Sequence, residues 1–320
     1  MRKNEEKYME FDSKFFEGEV RESFYVEKLV KKVWAAELEV LDEIRKICER
    51  HNLTYFAEWG TPLGTVRHKG FIPWDDDIEI CMKRPDYMKF MEYALKELPK
   101  DFCLLNIHTD EHYDNMLTRV TNGDSIRFDE EFLKRFHGCP FVVGIDIFPL
   151  DFIAPTKEED DMMCRLMEMV MQTAYYVSPD EFYGDREDIT AYAAQIEQLC
   201  NVQFDKNRPL RIQMFLLAEQ IGSMYSEDES REITLMVDHA SNMPHYRIPK
   251  WCYGKVEYMP FENYNMPVPA GYGTILPIKY GGNYMTPIIR NGGHVYPFFK
   301  DQKQLIWEKF GYMPDTSFAE

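Results

Sequence analysis

The chain has 320 residues, 45% hydrophobic and 15% aromatic, enough for one large domain or two small ones around a sizeable core. A net charge of −18 argues against a nucleic-acid backbone as partner, because no basic excess exists to release counterions; a small phosphorylated ligand in a local basic pocket stays compatible. Seven cysteines without a C-x-x-C pair, an N-terminus without a signal-peptide core and no apolar run of membrane-spanning length point to a reducing, cytoplasmic setting.

Residues 1–22 are charged and read as a loosely docked arm. From Glu27 to His51, Val30, Val33, Trp34, Leu38, Leu41, Ile44 and Cys48 recur at helical spacing, which predicts a helix packed on a sheet and stopped at Asn52. Tyr55-Phe56-Ala57 can serve as a strand, followed by a glycine-bearing turn from Gly60 to Gly64 and a basic cluster, Arg67-His68-Lys69. Three aspartates then feed a second strand, Asp75-Asp76-Asp77-Ile78-Glu79-Ile80. On a strand, Asp77 and Glu79 share one face at about 7 Å spacing while Ile78 and Ile80 face the other way. Two ionised carboxylates converging to about 4 Å repel by about 4 kcal/mol at an effective dielectric of about 20. A raised pKa or a bound cation relieves that, and all-oxygen ligation suits Mg²⁺, with Mn²⁺ as the alternative. The bland reading is a solvated acidic turn.

A helix is expected from Arg84-Pro85 to about Leu98, then a strand pair over 101–108 and 113–121. His108 and His112 lie in a polar turn without cysteine partners, so a zinc site is the weaker reading. Arg119 reads equally as a phosphate contact or an exposed strand cation. Phe141–Asp151 reads as a buried strand interrupted by Asp146, and a buried carboxylate calls for a partner. That partner could be a metal, an acceptor proton or a salt bridge. Thr156-x-x-Glu159 has the form of a capping box, and the stripe Met163, Met167, Val170, Met171, Ala174 reads as core. Further helices are expected around 187–200, 208–225 and 228–240. From Pro244 the composition turns to proline, glycine and aromatics, predicting an irregular lobe with short strands (251–259, 261–267), a helix near 273–280 and an aromatic, glycine-rich turn from Tyr280 to Pro287.

The segment from Gly60-Thr61 through Leu63-Gly64-x-Val66-Arg67-His68-Lys69-Gly70-Phe71-Ile72-Pro73-Trp74-Asp75-Asp76-Asp77-Ile78 resembles the signature of the LicD family. Arg84-x-Asp86-Tyr87, Asp146-Ile147-Phe148-Pro149-Leu150-Asp151, Phe261-Glu262 with Val268-Pro269-x-Gly271-Tyr272, and Tyr280-Gly281-x-x-Tyr284-Met285 fit its later blocks, in order. The resemblance implies an α+β, nucleotidyltransferase-like mixed sheet flanked by helices, with a helical insertion and an irregular C-terminal lobe. The corresponding division is an arm (1–22), a catalytic core (23–155), a helical subdomain (156–245) and a closing lobe (246–320). It also implies transfer of a phosphorylated alcohol from a CDP-alcohol donor to a glycan or lipid-linked glycan acceptor. That alcohol is choline in the best-known members and ribitol in the similar fukutin-related proteins. By matching position, Gly60 and Thr61 hold donor phosphate, Asp77 and Glu79 are the paired metal carboxylates and Asp146 is the third. Glu79, Pro62 and Trp59 depart from the residues usual at their positions.

On this reading Gly60 and Gly64 let backbone N–H groups approach phosphate, and Arg67 clamps two of its oxygens. Lys69 adds charge or is a loop lysine, and His68 donates to phosphate or is a turn residue. Asp75 orients the site, Asp76 faces away into solvent, and Asp146 is a metal ligand or the general base. If choline is carried, Trp59, Trp74, Tyr280 and Tyr284 are candidates to face its quaternary ammonium. A lipid-linked acceptor would bring the protein to the inner membrane face without a spanning segment. The competing classes are a metal-dependent glycosyltransferase using Asp75-x-Asp77 and a non-catalytic binding protein of the same fold.

Overall fold

A computed structural model describes residues 8–241, 246–289 and 296–318. The composition change at Pro244 and the expected boundary at residue 245 lie outside the described residues, as does the start of the arm. The described part of the arm ends in a hairpin of β1 (Glu19–Arg21) and β2 (Phe24–Val26). Arg21 bonds the largely buried Glu262 at 3.0 Å, and Met9 donates its N–H to Glu39 at 2.8 Å. Next comes α1 (Lys28–His51), stopped by Asn52 in the left-handed region, whose N–H returns to the Cys48 and Glu49 carbonyls.

The core follows in the order β3 (Phe56–Ala57), α2 (Gly60–His68), β4 (Ile78–Lys83), α3 (Arg84–Glu97), β5 (Cys103–Leu105), β6 (Thr118–Thr121), α4 (Glu130–Arg135) and β7 (Gly144–Phe152). The strands lie in the order β3-β4-β7-β6-β5. β4 and β7 are parallel and the other neighbours antiparallel, so the sheet is mixed. One face buries Ile78, Ile80, Ile145 and Ile147 in a core shared with α1 and α3. The fold is α+β, a mixed sheet flanked by helices.

Three helices succeed it: α5 (Lys157–Tyr176), α6 (Glu187–Cys200) and α7 (Leu210–Gly222), with Thr156 capping the first through the Glu159 N–H. Their methionine stripe packs in a second core. Arg84 ties these helices to the sheet, bonding Asp151 at 2.7 and 2.6 Å and Glu219 at 2.6 Å. The chain continues as β8 (Glu232–Thr234), which pairs with the end of β7, α8 (Met236–Ala240), β9 (Ile248–Pro249), the hairpin β10 (Val256–Phe261) and β11 (Tyr264–Pro269), α9 (Tyr272–Tyr280) and α10 (Pro297–Phe310). Among the described residues no helix is long and apolar enough to cross a membrane.

Four expectations are corrected. The glycine turn at 60–64 is the first half of α2; Pro62 sits in its first turn, where a missing N–H costs nothing. The acidic strand begins at Ile78, which leaves the three aspartates in a loop. The helix expected over 228–240 divides into β8 and α8, because Asp151 and Phe152 of β7 draw Thr234 and Ile233 into the sheet. Finally, the glycine-rich composition hid α10, which opens with Pro297 at its first position.

Candidate active site

Register builds the site. Glu79 of β4 stands opposite Asp146 of the parallel β7, and Arg119 of β6 stands opposite Asp146 on its other side. The isoleucines alternating with Glu79 and Asp146 are fully buried, so the pleat turns both acids to the opposite face. Asp77 lies one residue before β4. It lines two cavities at once.

The first is a cleft of about 450 Å³ bounded by Gly60 and Arg67 of α2, by Asp75, Asp77 and Glu79, and by Lys279 of α9. Trp59, Trp74, Tyr280 and Tyr284, the aromatic residues singled out from the sequence, all line it. The second is a chamber of about 240 Å³ reached by Glu37, Asp76, Asp77, Arg119 and Asp146.

Burial and mutual proximity raise these carboxyls. Burial, then Asp77 and Asp76, pushes Asp75 well above the usual carboxylate range. Burial, then Asp77 and Asp146, does the same to Glu79. Asp77 rises to about 7 through burial and then the charges of Asp76 and Asp146. Glu37, on α1, is raised by burial and then by Asp77 and Asp76. A divalent cation relieves such a cluster, and its donors are all hard oxygens, so the residues present fit Mg²⁺. Asp146 is already partnered: Arg119 bonds both its oxygens, with Nη2–Oδ2 at 2.7 Å.

The remaining residues divide sharply. The Gly60 N–H donates to Glu79 Oε2 at 3.3 Å, so the α2 N-terminus opens directly onto a carboxylate. Thr61 is buried and its Oγ1 accepts the Glu79 N–H at 2.9 Å, strapping α2 to β4. Arg67 reaches the Tyr284 carbonyl at 2.9 Å through Nη1 while lining the cleft. Gly64, His68 and Lys69 line neither cavity. A Cβ on Gly64 would stand 2.5 Å from the Gly70 carbonyl, so its bareness serves the packing of α2 on its own return loop. His68 accepts from Arg67 Nε at 2.8 Å, and burial followed by the Arg67 charge lowers its pKa to about 4, leaving a neutral ring outside both linings. Lys69 is exposed in the left-handed position that ends α2 and lines neither cavity. Asp76 is corrected: 2% exposed, it accepts the Phe299 N–H at 2.7 Å and so caps α10.

Sequence reasoning missed Glu58, Lys279 and Glu37. Glu58 is buried; it pairs with Lys279 and accepts from Tyr253 Oη at 3.0 Å. Burial alone would raise its pKa, but the Lys279 ammonium outweighs that and lowers it. Lys279 also lies 4.2 Å from the Trp59 ring centroid. A signal existed for two of them: Glu58 extends the apolar run Phe56-Ala57 as a lone acid, and Glu37 falls between Ala36 and Leu38 in the buried stretch of α1.

Away from the cleft, Asp160, Cys164 and His239 place one ligand-type atom each within 4.8 Å of one another, although Arg247 also bonds Asp160. His108 and His112 turn to different carboxylates, Glu219 at 2.6 Å and Asp180 at 2.8 Å.

Residues 52–182 match the model of the LicD/FKTN/FKRP nucleotidyltransferase domain. The chain is 28% identical over 255 residues to the lipopolysaccharide cholinephosphotransferase LicD of Haemophilus influenzae, covering 78% of this chain and 88% of that protein. Shorter likenesses run to an uncharacterised protein of Rickettsia typhi (35% over 54 residues, 17% of this chain and 18% of that one) and one of Rickettsia prowazekii (38% over 48 residues, 15% and 18%). The domain match spans α2, β4 and β7, the elements that carry or adjoin the acidic cluster, and it supports the resemblance to the LicD family that the sequence motifs carry.

Proposed function

We propose that this protein transfers a phosphorylated alcohol, phosphocholine foremost, from a CDP-activated donor to a glycan or lipid-linked glycan acceptor, working in the cytoplasm. The observation that carries the reading is that Asp77 and Glu79 line a cleft together with Arg67, Lys279 and the N-terminus of α2, while Asp146 stands opposite Glu79 in the strand register. Arg67 and Lys279 supply positive charge where a diphosphate would lie, and the α2 N-terminus adds its partial charge. Asp77, Glu79 and Asp146 would hold Mg²⁺, which when bound neutralises charge on the transferring phosphoryl group. The phosphorus–oxygen bond to CMP breaks as one to the acceptor oxygen forms. Asp75, in the same cleft and with a raised pKa, takes the acceptor's proton. Trp59 and Tyr280 wall the cleft and keep water from the reacting centre.

The test is incubation of purified protein and Mg²⁺ with CDP-choline, CDP-ribitol, CDP-glycerol and a set of UDP-sugars. CMP release from a CDP-alcohol, dependent on Asp77 and Asp146, is expected. UDP release instead would make the protein a glycosyltransferase, and no turnover with any donor would leave it a binding protein.

A further inference from the structure

We propose that the second chamber, edged by Glu37, Asp76 and Asp77 and walled by Phe141, Phe298 and Phe299, receives the alkylammonium head of the transferred alcohol. This rests on the donor chemistry proposed above and gives that donor a direction across the site.

The first support is a pair of buried atoms. Glu37 and Asp76 are each 2% exposed, and among the described residues Glu37 Oε2 and Asp76 Oδ1 have no hydrogen-bond partner. Both residues line the chamber. Buried polar oxygens are satisfied in nearly all folded proteins, so two orphans at one cavity mark a place where something else binds.

Charge decides what that is. The cleft sets Arg67 and Lys279, whose ammonium lies over the Trp59 ring and pairs with Glu58, beside Asp75, Asp77 and Glu79, so it offers both signs of charge, as a metal-bound diphosphate needs. The chamber is the more acidic of the two. Its one arginine among the described lining residues, Arg119, is committed to both oxygens of Asp146, so Glu37, Asp76 and Asp77 form no ion pair with a described lining residue. Three phenylalanine rings complete the wall, and one of them, Phe298, already stacks with a cation, Arg119, at 5.5 Å. Carboxylates beside aromatic faces are the chemistry that recognises alkylammonium groups.

Size and position agree. At about 240 Å³ the chamber is below the range of about 300–1,000 Å³ typical of drug-sized ligands, so it admits a headgroup and excludes a nucleotide. Because Asp77 borders both cavities, a donor lying across it sets its nucleotide in the cleft, its alcohol in the chamber and its diphosphate at the acidic cluster.

The experiment compares CDP-choline with CDP-3,3-dimethylbutanol, the uncharged carbon isostere, in the full chain and in Glu37→Gln and Phe298→Leu. In parallel, choline chloride is titrated against sodium chloride at matched ionic strength while thermal stability is followed. Glu37→Gln should raise KM for CDP-choline about tenfold and leave the neutral donor within about twofold, and it should abolish the stabilisation by choline. Phe298→Leu, at a position 45% exposed where folding is safe, should shift the same ratio and decides the matter if Glu37→Gln does not fold. Equal losses with both donors, or a changed Mg²⁺ requirement with the donor ratio kept, would overturn the inference and assign the chamber to a metal ion or to structure alone. If wild type releases CMP from no CDP-alcohol yet choline stabilises it through Glu37, the headgroup site stands and the transferase reading falls. If CDP-choline turns over and neither variant alters the ratio, the transferase reading stands and this inference falls. If choline does not stabilise the protein and no CDP-alcohol turns over, both fall.

Discussion

Arg119 and Asp146 face each other across β6 and β7, with Arg119 Nη2 2.7 Å from Asp146 Oδ2 and Nε on the other oxygen. A carboxylate held this way is occupied, so a divalent ion approaching Asp146 competes with a guanidinium. Arg119→Gln should therefore lower the Mg²⁺ concentration giving half-maximal CMP release by about threefold to tenfold. An unchanged or higher requirement would remove Asp146 from the metal site.

The raised carboxyls set a pH dependence of stability. Asp77 moves from an ordinary 3.8 to about 7 on folding, so the folded state holds its proton more tightly than the unfolded one. The stabilisation is complete below about pH 4 and is lost as pH climbs through 7, at about 1.4 kcal/mol per pK unit. In EDTA, Tm should fall across that window, and saturating Mg²⁺ or Asp77→Asn should flatten the slope. Asp77→Asn should also lower transfer by about a hundredfold or more, the scale of losing a charge-stabilising group. A Tm that rises from pH 4 to 7 without metal would refute the electrostatic account.

Glu58 and Lys279 form a buried pair behind the cleft. Removing one partner strands the other, at a cost of about 3–5 kcal/mol. Lys279→Met and Glu58→Gln should each lower stability on that scale in urea melts. The double variant should recover most of the loss yet stay inactive, because Lys279 also lines the cleft. Losses that simply add would show the two side chains to be uncoupled.

Gly64 tests the packing of α2. A methyl group there meets the Gly70 carbonyl at 2.5 Å, and backbone cannot swing aside as a side chain can. Gly64→Ala should cost about 1–3 kcal/mol and lower kcat by shifting Gly60 relative to Glu79. Full stability in thermal melts would mean that the return loop yields freely.

The parts of this molecule legible in its sequence are those written in local pattern. The apolar stripe of α1, the capping box of α5 and the strand pair around Arg119 follow from periodicity and cap chemistry. Glu79 and Asp146 could be paired by analogy, but their common register is a long-range fact that only β4 and β7 together express. Asp76 was misjudged because the helix it caps lies 223 residues away, and nothing near an aspartate announces so distant a donor. Gly60 and Gly64 look alike on paper. One opens onto a carboxylate and the other onto its own backbone, a difference made by how α2 lies on residues 70–72.

The bond from the Phe299 amide to Asp76 has a reach beyond capping. Gln302 adds two more bonds, one to each backbone group of Val142, at 2.9 and 2.7 Å. The C-terminal helix thus works as a latch, fastened to the acidic loop at one point and to the entry of β7 at another. Proteolytic nicking after Tyr296, or a bulky fusion that levers this helix away, should disturb the acidic loop and lower transfer while Asp77, Glu79 and Asp146 all remain in the chain.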